Sequence, residues 1–118
     1  MLRTTLIFVA LATATSGHAA ELWCMPDTLC GAKGCKPTTN EEMSVRLNDL
    51  AAQTSTLRTQ AEDVVMSRSI KGDVVQWNGV NENGGKEYLA WRQSDGAFTY
   101  LVRWDDGEST ATGLCEVQ

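Results

Sequence analysis

Four cysteines, Cys24, Cys30, Cys35 and Cys115, carry the most chemistry in this sequence. Their thiol groups could pair as disulfides or hold a zinc ion as thiolates. The run Cys24-x5-Cys30-x4-Cys35 lacks the short C-x2-C knuckle that structural zinc sites favour. An even count in a small exported chain reads as two disulfides instead. Three connectivities are open to four cysteines. Sheet closure favours Cys24 with Cys115 and Cys30 with Cys35, because a first strand over Glu21 to Met25 must then meet a last strand over Thr112 to Val117. In the chain-entropy picture the long loop contributes about 4–5 kcal/mol and the short one about 2 kcal/mol, help that a core of this size needs.

The only histidine, His18, lies in the N-terminal leader, so the domain after it contains no imidazole. That removes histidine general bases, Ser–His and Cys–His nucleophile pairs and histidine metal ligands. Acid–base work would fall to carboxylates, and a pair such as Glu87 and Asp95 would have to share a cleft. Nothing in the sequence places those two together. The groups Asn81, Glu82, Asn83 and Asp105, Asp106, Glu108 offer oxygen ligands for calcium, but their spacing matches no EF-hand, and hairpin turns require these residue types anyway. No catalytic residue, metal or cofactor is assigned, and the chain reads as a non-enzyme.

Tryptophan supplies the other candidates. Trp23, Trp77, Trp91 and Trp104 are many for a domain this small. Trp91 is expected in the core. Trp77, beside a long Asn/Gly stretch, and Trp104, beside Asp105-Asp106, are expected to stay partly exposed. Trp77, Asn81, Trp104, Asp105 and Asp106 therefore form the candidate binding surface, with aromatic anchors beside carboxylates that suit a cationic protein partner.

The elements that must position these residues follow a leader. Residues 1–20 read as a secretory signal peptide: Met1-Leu2-Arg3, the apolar run Leu6 to Ala14, then small residues up to Ala20. The apolar run is too short to span a bilayer, so a single β domain over 21–118, periplasmic or secreted, is expected, with no membrane insertion. Trp23 before Cys24 is unlike the small residues that precede a lipid-modified cysteine. The chain has 10 Lys and Arg against 15 Asp and Glu, a net charge of −5, and loses one more positive charge with Arg3. This acidity argues against nucleic acid and anionic membranes as partners. A monomer is expected.

Strand periodicity is clearest in EYLAWRQSDGAFTYLVRWDDGESTATGLCEV, residues 87–117. Phe98, Tyr100, Val102 and Trp104 share one parity, the period of a half-buried strand. A turn over Gln93–Gly96 would set Trp91 opposite Phe98 and Leu89 opposite Tyr100. A two-residue turn at Asp106-Gly107 would set Trp104 opposite Ser109, Val102 opposite Ala111, Tyr100 opposite Gly113 and Phe98 opposite Cys115, large against small. Val74 to Trp77 and Lys86 to Arg92 read as further strands, with turn residues Asn78 to Gly85 between them. Pro26-Asp27 and Gly31 to Gly34 read as loop, and Pro37 as a stop to strand pairing.

Residues 39–66 admit two readings. Thr39-x-x-Glu42 is a capping-box pattern, and Met43, Leu47, Leu50, Thr54, Leu57, Ala61 and Val64 keep helical spacing. Against a helix stand the turn pair Asn48-Asp49, three threonines, and the β-branched Val64-Val65. Strands are preferred. The expected fold is all-β, an antiparallel meander of seven or eight strands forming a small barrel or sandwich with two disulfides; the alternative is α+β with a helix at about 40–66.

With Leu22-Trp23-Cys24, two further cysteines within twelve residues and a terminal Gly113-Leu114-Cys115, the chain resembles small exported four-cysteine proteins of alphaproteobacteria, which implies a β fold and no activity. Its architecture also resembles the periplasmic lysozyme inhibitors of the membrane-bound and C-type kind, small barrels closed by a disulfide between terminal regions. Their Ser-Gly-x-x-Tyr element is interrupted here, since Asp95 separates Ser94 from Gly96, and no Trp-x-Lys-Gly element follows, so no inhibitory residue is carried over. The expected function is an envelope binding module of undefined ligand. The alternative is a proteinaceous inhibitor of a cationic secreted hydrolase such as a lysozyme.

Overall fold

The computed structural model describes residues 20–38 and 44–118, and the leader up to residue 19 and the capping-box residues Thr39 to Met43 lie outside them. Nine strands follow in chain order: β1 (Leu22–Gly31), β2 (Gly34–Pro37), β3 (Val45–Leu47), β4 (Thr54–Arg58), β5 (Asp63–Lys71), β6 (Val74–Val80), β7 (Lys86–Arg92), β8 (Ala97–Trp104) and β9 (Gly107–Val117). Each pairs antiparallel with its neighbour in the order β2-β1-β3-β4-β5-β6-β7-β8-β9, and β1 also pairs with β9. Eight strands thereby close a barrel, with β2 as an extra hairpin arm. No helix occurs among the described residues. The threonines, Val64-Val65 and the Asn48-Asp49 turn outweigh the helical spacing, and Asp49 takes the left-handed φ of 48° that such a turn uses.

Alternation fills the inside. Leu22, Leu47, Leu57, Met66, Trp77 and Leu89 are fully buried, joined by Val45, Val64, Val75, Trp91 and Phe98. Each such side chain stabilises by roughly 1.5–3 kcal/mol. Two glycines let backbones or bulky neighbours approach. A Cβ on Gly79 would lie 2.6 Å from Met66 Sδ, so the bare position makes room for the methionine. A Cβ on Gly113 would strike the Met25 carbonyl where β1 bulges between Pro26 and Thr28.

Cys24 and Cys115 are directly opposite on the β1–β9 seam and form one disulfide; Cys30 and Cys35 are opposite across the β1–β2 hairpin and form the other. Both expected pairs are present. Two disulfides point to an oxidising, non-cytoplasmic location.

The β7–β8 register holds Trp91 opposite Phe98 and Leu89 opposite Tyr100, as the sequence predicts. The β8–β9 register differs by two residues: Trp104 faces Gly107, Val102 faces Ser109, Tyr100 faces Ala111 and Phe98 faces Gly113. The turn residues are Asp105-Asp106, neither with positive φ, and Gly107 follows at the last turn position, a common glycine site in type I turns. A shift of two keeps every side chain on its face. Two other expectations fail. Pro26-Asp27 lies within β1, at the bulge, whereas Pro37 does end strand pairing, as the last residue of β2, an edge strand where a missing N–H costs no ladder bond. Asn78-Gly79-Val80 continues β6, so the turn proper is residues 81–85.

Candidate functional site

The inward residues of β9 are small near its start, with Ser109 and Ala111 facing Val102 and Tyr100. A strand of small side chains cannot fill the barrel at that end. The space left is a cavity of about 340 Å³ at the barrel mouth. Its wall is largely apolar, with Leu29 from β1, Val45 from β3, Tyr100, Val102 and Trp104 from β8 and Ala111 from β9.

Two carboxyl groups also face this cavity, Glu62 and Glu87. Glu87 has the inward parity of Leu89 and Trp91 on β7 and is only 3% exposed. It sits beside Gly79 on β6 and Val102 on β8. Burying a carboxylate is costly unless its oxygens are bonded. Both are: the Tyr100 hydroxyl donates to Oε1, and Asn81 Nδ2 donates to Oε2 at 2.8 Å. Tyr100 reaches Glu87 diagonally across the β7–β8 pair.

Asn81 is itself fixed. Its Oδ1 accepts from the backbone N–H of Asn83 at 3.0 Å and of Gly85 at 2.8 Å, which ties the β6–β7 loop into an Asx-type turn behind Glu87. Gly85 is bare for a reason, since a Cβ there would lie 2.7 Å from both Asn81 Nδ2 and Trp104 Nε1.

Glu62 comes from the β4–β5 turn. Thr59 shapes that turn: its Oγ1 accepts from the N–H of Ala61 and of Glu62, and its N–H donates to the Glu62 carbonyl at 3.0 Å. The Glu62 carboxyl lines the same cavity as Glu87 and lies close enough to feel its charge. Desolvation, then the charge of Glu87 and the hydrogen bond to it, then the charge of Glu82, hold Glu62 above the ordinary carboxylate range. Burial, then the bond to Glu87, then nearby negative charge, raise Tyr100 well above its ordinary value, so its hydroxyl remains a donor.

The structure divides the residues singled out from sequence. Asn81 and Trp104 come together around Gly85, with Trp104 42% exposed at the mouth. Trp77 is not exposed: β6 runs three residues past it, and it packs inside between Arg68 on β5 and Leu89 on β7. Asp105 and Asp106 are exposed in the β8–β9 turn, outside the cavity lining. Asn81 is 6% exposed and acts as a clamp behind Glu87. Asp95 is exposed and paired with Arg92 at the other end of β7, so Glu62 replaces it as the partner of Glu87. Glu62 was missed because no local pattern reveals a turn residue that points across the barrel. Glu87 was findable, being a carboxylate in step with Leu89 and Trp91. Among the described residues no group of three or more His, Cys, Asp or Glu is placed to hold a metal ion.

Comparison of the chain with known protein families, with curated proteins and with solved structures yields no match.

Proposed function

We propose that the protein is a small exported binding module, non-catalytic, that takes a small ligand into the mouth of its barrel. The observation that carries this reading is the buried Glu87, braced by Tyr100 and Asn81 at the wall of an otherwise apolar cavity of about 340 Å³. Pockets that are mostly apolar with a few fixed polar groups are the common form of small-molecule sites. A closed barrel with an unfilled end is one of the usual places for them. The leader at 1–20 and the two disulfides support export to the periplasm or beyond, and a monomer is proposed.

Binding of a neutral, environment-sensitive dye such as Nile red tests the cavity. The parent should enhance its emission, and Ala111→Leu, which fills the cavity from β9, should abolish the enhancement while near-ultraviolet circular dichroism stays unchanged. Equal enhancement by parent and variant would place ligand binding elsewhere.

A second reading has its own observation. Trp104 is 42% exposed and leads into the exposed pair Asp105-Asp106, an aromatic and acidic tip that would suit a cationic protein such as a secreted hydrolase. Capture of such a partner should weaken with salt, and Trp104→Ala with Asp106→Lys should remove it. Undiminished capture by both variants would eliminate this surface.

A further inference from the structure

We infer that the occupant of the mouth cavity is an organic cation, a small amine with an apolar or aromatic body, whose ammonium group sits between the carboxyl groups of Glu62 and Glu87. This rests on the cavity reading above and adds the chemical class of the ligand.

The first support is the unbalanced charge. Among the described residues the ion pairs are Arg58–Asp63, Arg92–Asp95 and Arg103–Glu108, all well exposed, and none involves Glu62 or Glu87. Both carboxyl groups line one cavity without a cation, and the charge of Glu87 is one of the causes that hold Glu62 above its ordinary range. An ammonium group would offset that repulsion, and it brings three N–H donors to the carboxyl oxygens.

The second support is the wall. Tyr100 and Trp104 present aromatic rings to the same cavity as the two carboxyl groups. Aromatic faces attract cations through the ring quadrupole, most strongly where water is displaced. Val45, Val102 and Ala111 offer an apolar surface for the ligand body.

The third support is preorganisation. Tyr100 and Asn81 hold Glu87 in place with no ligand present, and Thr59 fixes the turn that presents Glu62. Little ordering is left to be done on binding, which lowers its cost. The titratable groups that face the pair are Glu82 from the β6–β7 loop and Tyr100 from β8; β1 and β9 contribute Leu29, the disulfide-bonded Cys30, Ser109, Thr110 and Ala111, which do not titrate. Of the two glutamates, Glu62, raised above its ordinary range, is where protons compete with the ligand.

Titration calorimetry of the oxidised protein with phenethylamine, phenethyl alcohol and hydrocinnamate, three probes of one shape and different charge, tests the assignment. Phenethylamine should bind about tenfold or more tightly than the alcohol at neutral pH, and hydrocinnamate most weakly. Amine binding should weaken on acidification, and alcohol binding should not. Glu87→Gln and Glu62→Gln should each remove the preference for the amine, bringing its affinity down to that of the alcohol. If Glu87→Gln does not fold, Glu62→Gln decides, since Glu62 is on a partly exposed turn. Equal affinity for amine and alcohol, or tightest binding of hydrocinnamate, would overturn the cation assignment and leave the cavity standing. Failure of all three probes to bind would overturn both.

Discussion

Replacing Tyr100 by Phe removes one hydroxyl and keeps the ring that faces Leu89 and Ala111. The lost group is a donor to Glu87 Oε1, on a carboxylate that is 3% exposed. Hydrogen bonds to charged groups contribute about 1.5–3 kcal/mol, and the other donor to this carboxyl, Asn81 Nδ2, is on Oε2. For a domain of this size each kcal/mol shifts Tm by about 4–8 °C, so Tyr100→Phe should lower Tm by roughly 6–24 °C. Urea denaturation with unchanged m-value is the assay, since a change in midpoint alone isolates stability. The double variant with Glu87→Gln should lose less than the sum of the two single changes, because both remove the same bond. A Tyr100→Phe variant within about 0.5 kcal/mol of the parent would mean that water reaches Oε1 and takes over the bond, and the account of Glu87 as a buried, protein-braced carboxylate would be wrong.

Three further outcomes are expected. Removing the Cys24–Cys115 disulfide, whose ends are 91 residues apart, should cost about 4–5 kcal/mol by chain entropy against about 2 kcal/mol for Cys30–Cys35, 5 residues apart; equal losses in urea midpoints would count against closure of the β1–β9 seam as its role. Gly79→Ala would bring a Cβ to 2.5 Å from the Val65 carbonyl oxygen, a backbone atom that cannot swing aside, so a loss of about 1–3 kcal/mol is expected; a neutral variant would show that β5 and β6 separate easily. Glu62 titrates above its ordinary value in the fold, so the folded state binds more protons than the unfolded one between those two values, and stability falls as pH rises through that window. Glu62→Gln should be more stable than the parent above the window and equal to it below, and a stabilisation independent of pH would refute the raised titration of Glu62 by burial and by the charge of Glu87.

The fold was legible wherever one residue's side was decided by a neighbour two places away. Phe98, Tyr100 and Val102 announced β8, and the disulfides followed from closing the chain ends. The slip at the β8–β9 turn arose because Asp106-Gly107 resembles a hairpin pair, yet Asp105-Asp106 makes the same connection without positive φ. Trp77 was judged by its sequence neighbours, Asn78 and Gly79, which are strand residues. The site was less legible for a related reason. Glu87 could be read from parity on β7, while Glu62 meets it only because β4, β5 and β6 bring a turn round to the mouth, a relation that no local pattern contains.

The ninth strand has a consequence for how the molecule keeps apart from its own copies. Closure leaves the eight barrel strands paired on both sides over much of their length, and β2 is the strand at the end of the sheet order, its outer row of N–H and C=O groups paired with no other strand among the described residues. Such edges template aggregation unless they are short or interrupted. β2 is four residues long, bears Lys36, ends at Pro37 and is held to β1 by Cys30–Cys35. Lysine, proline and brevity are recognised safeguards of this kind. The disulfide that does least for global stability therefore helps most to keep this edge short, folded back and unattractive to a second molecule.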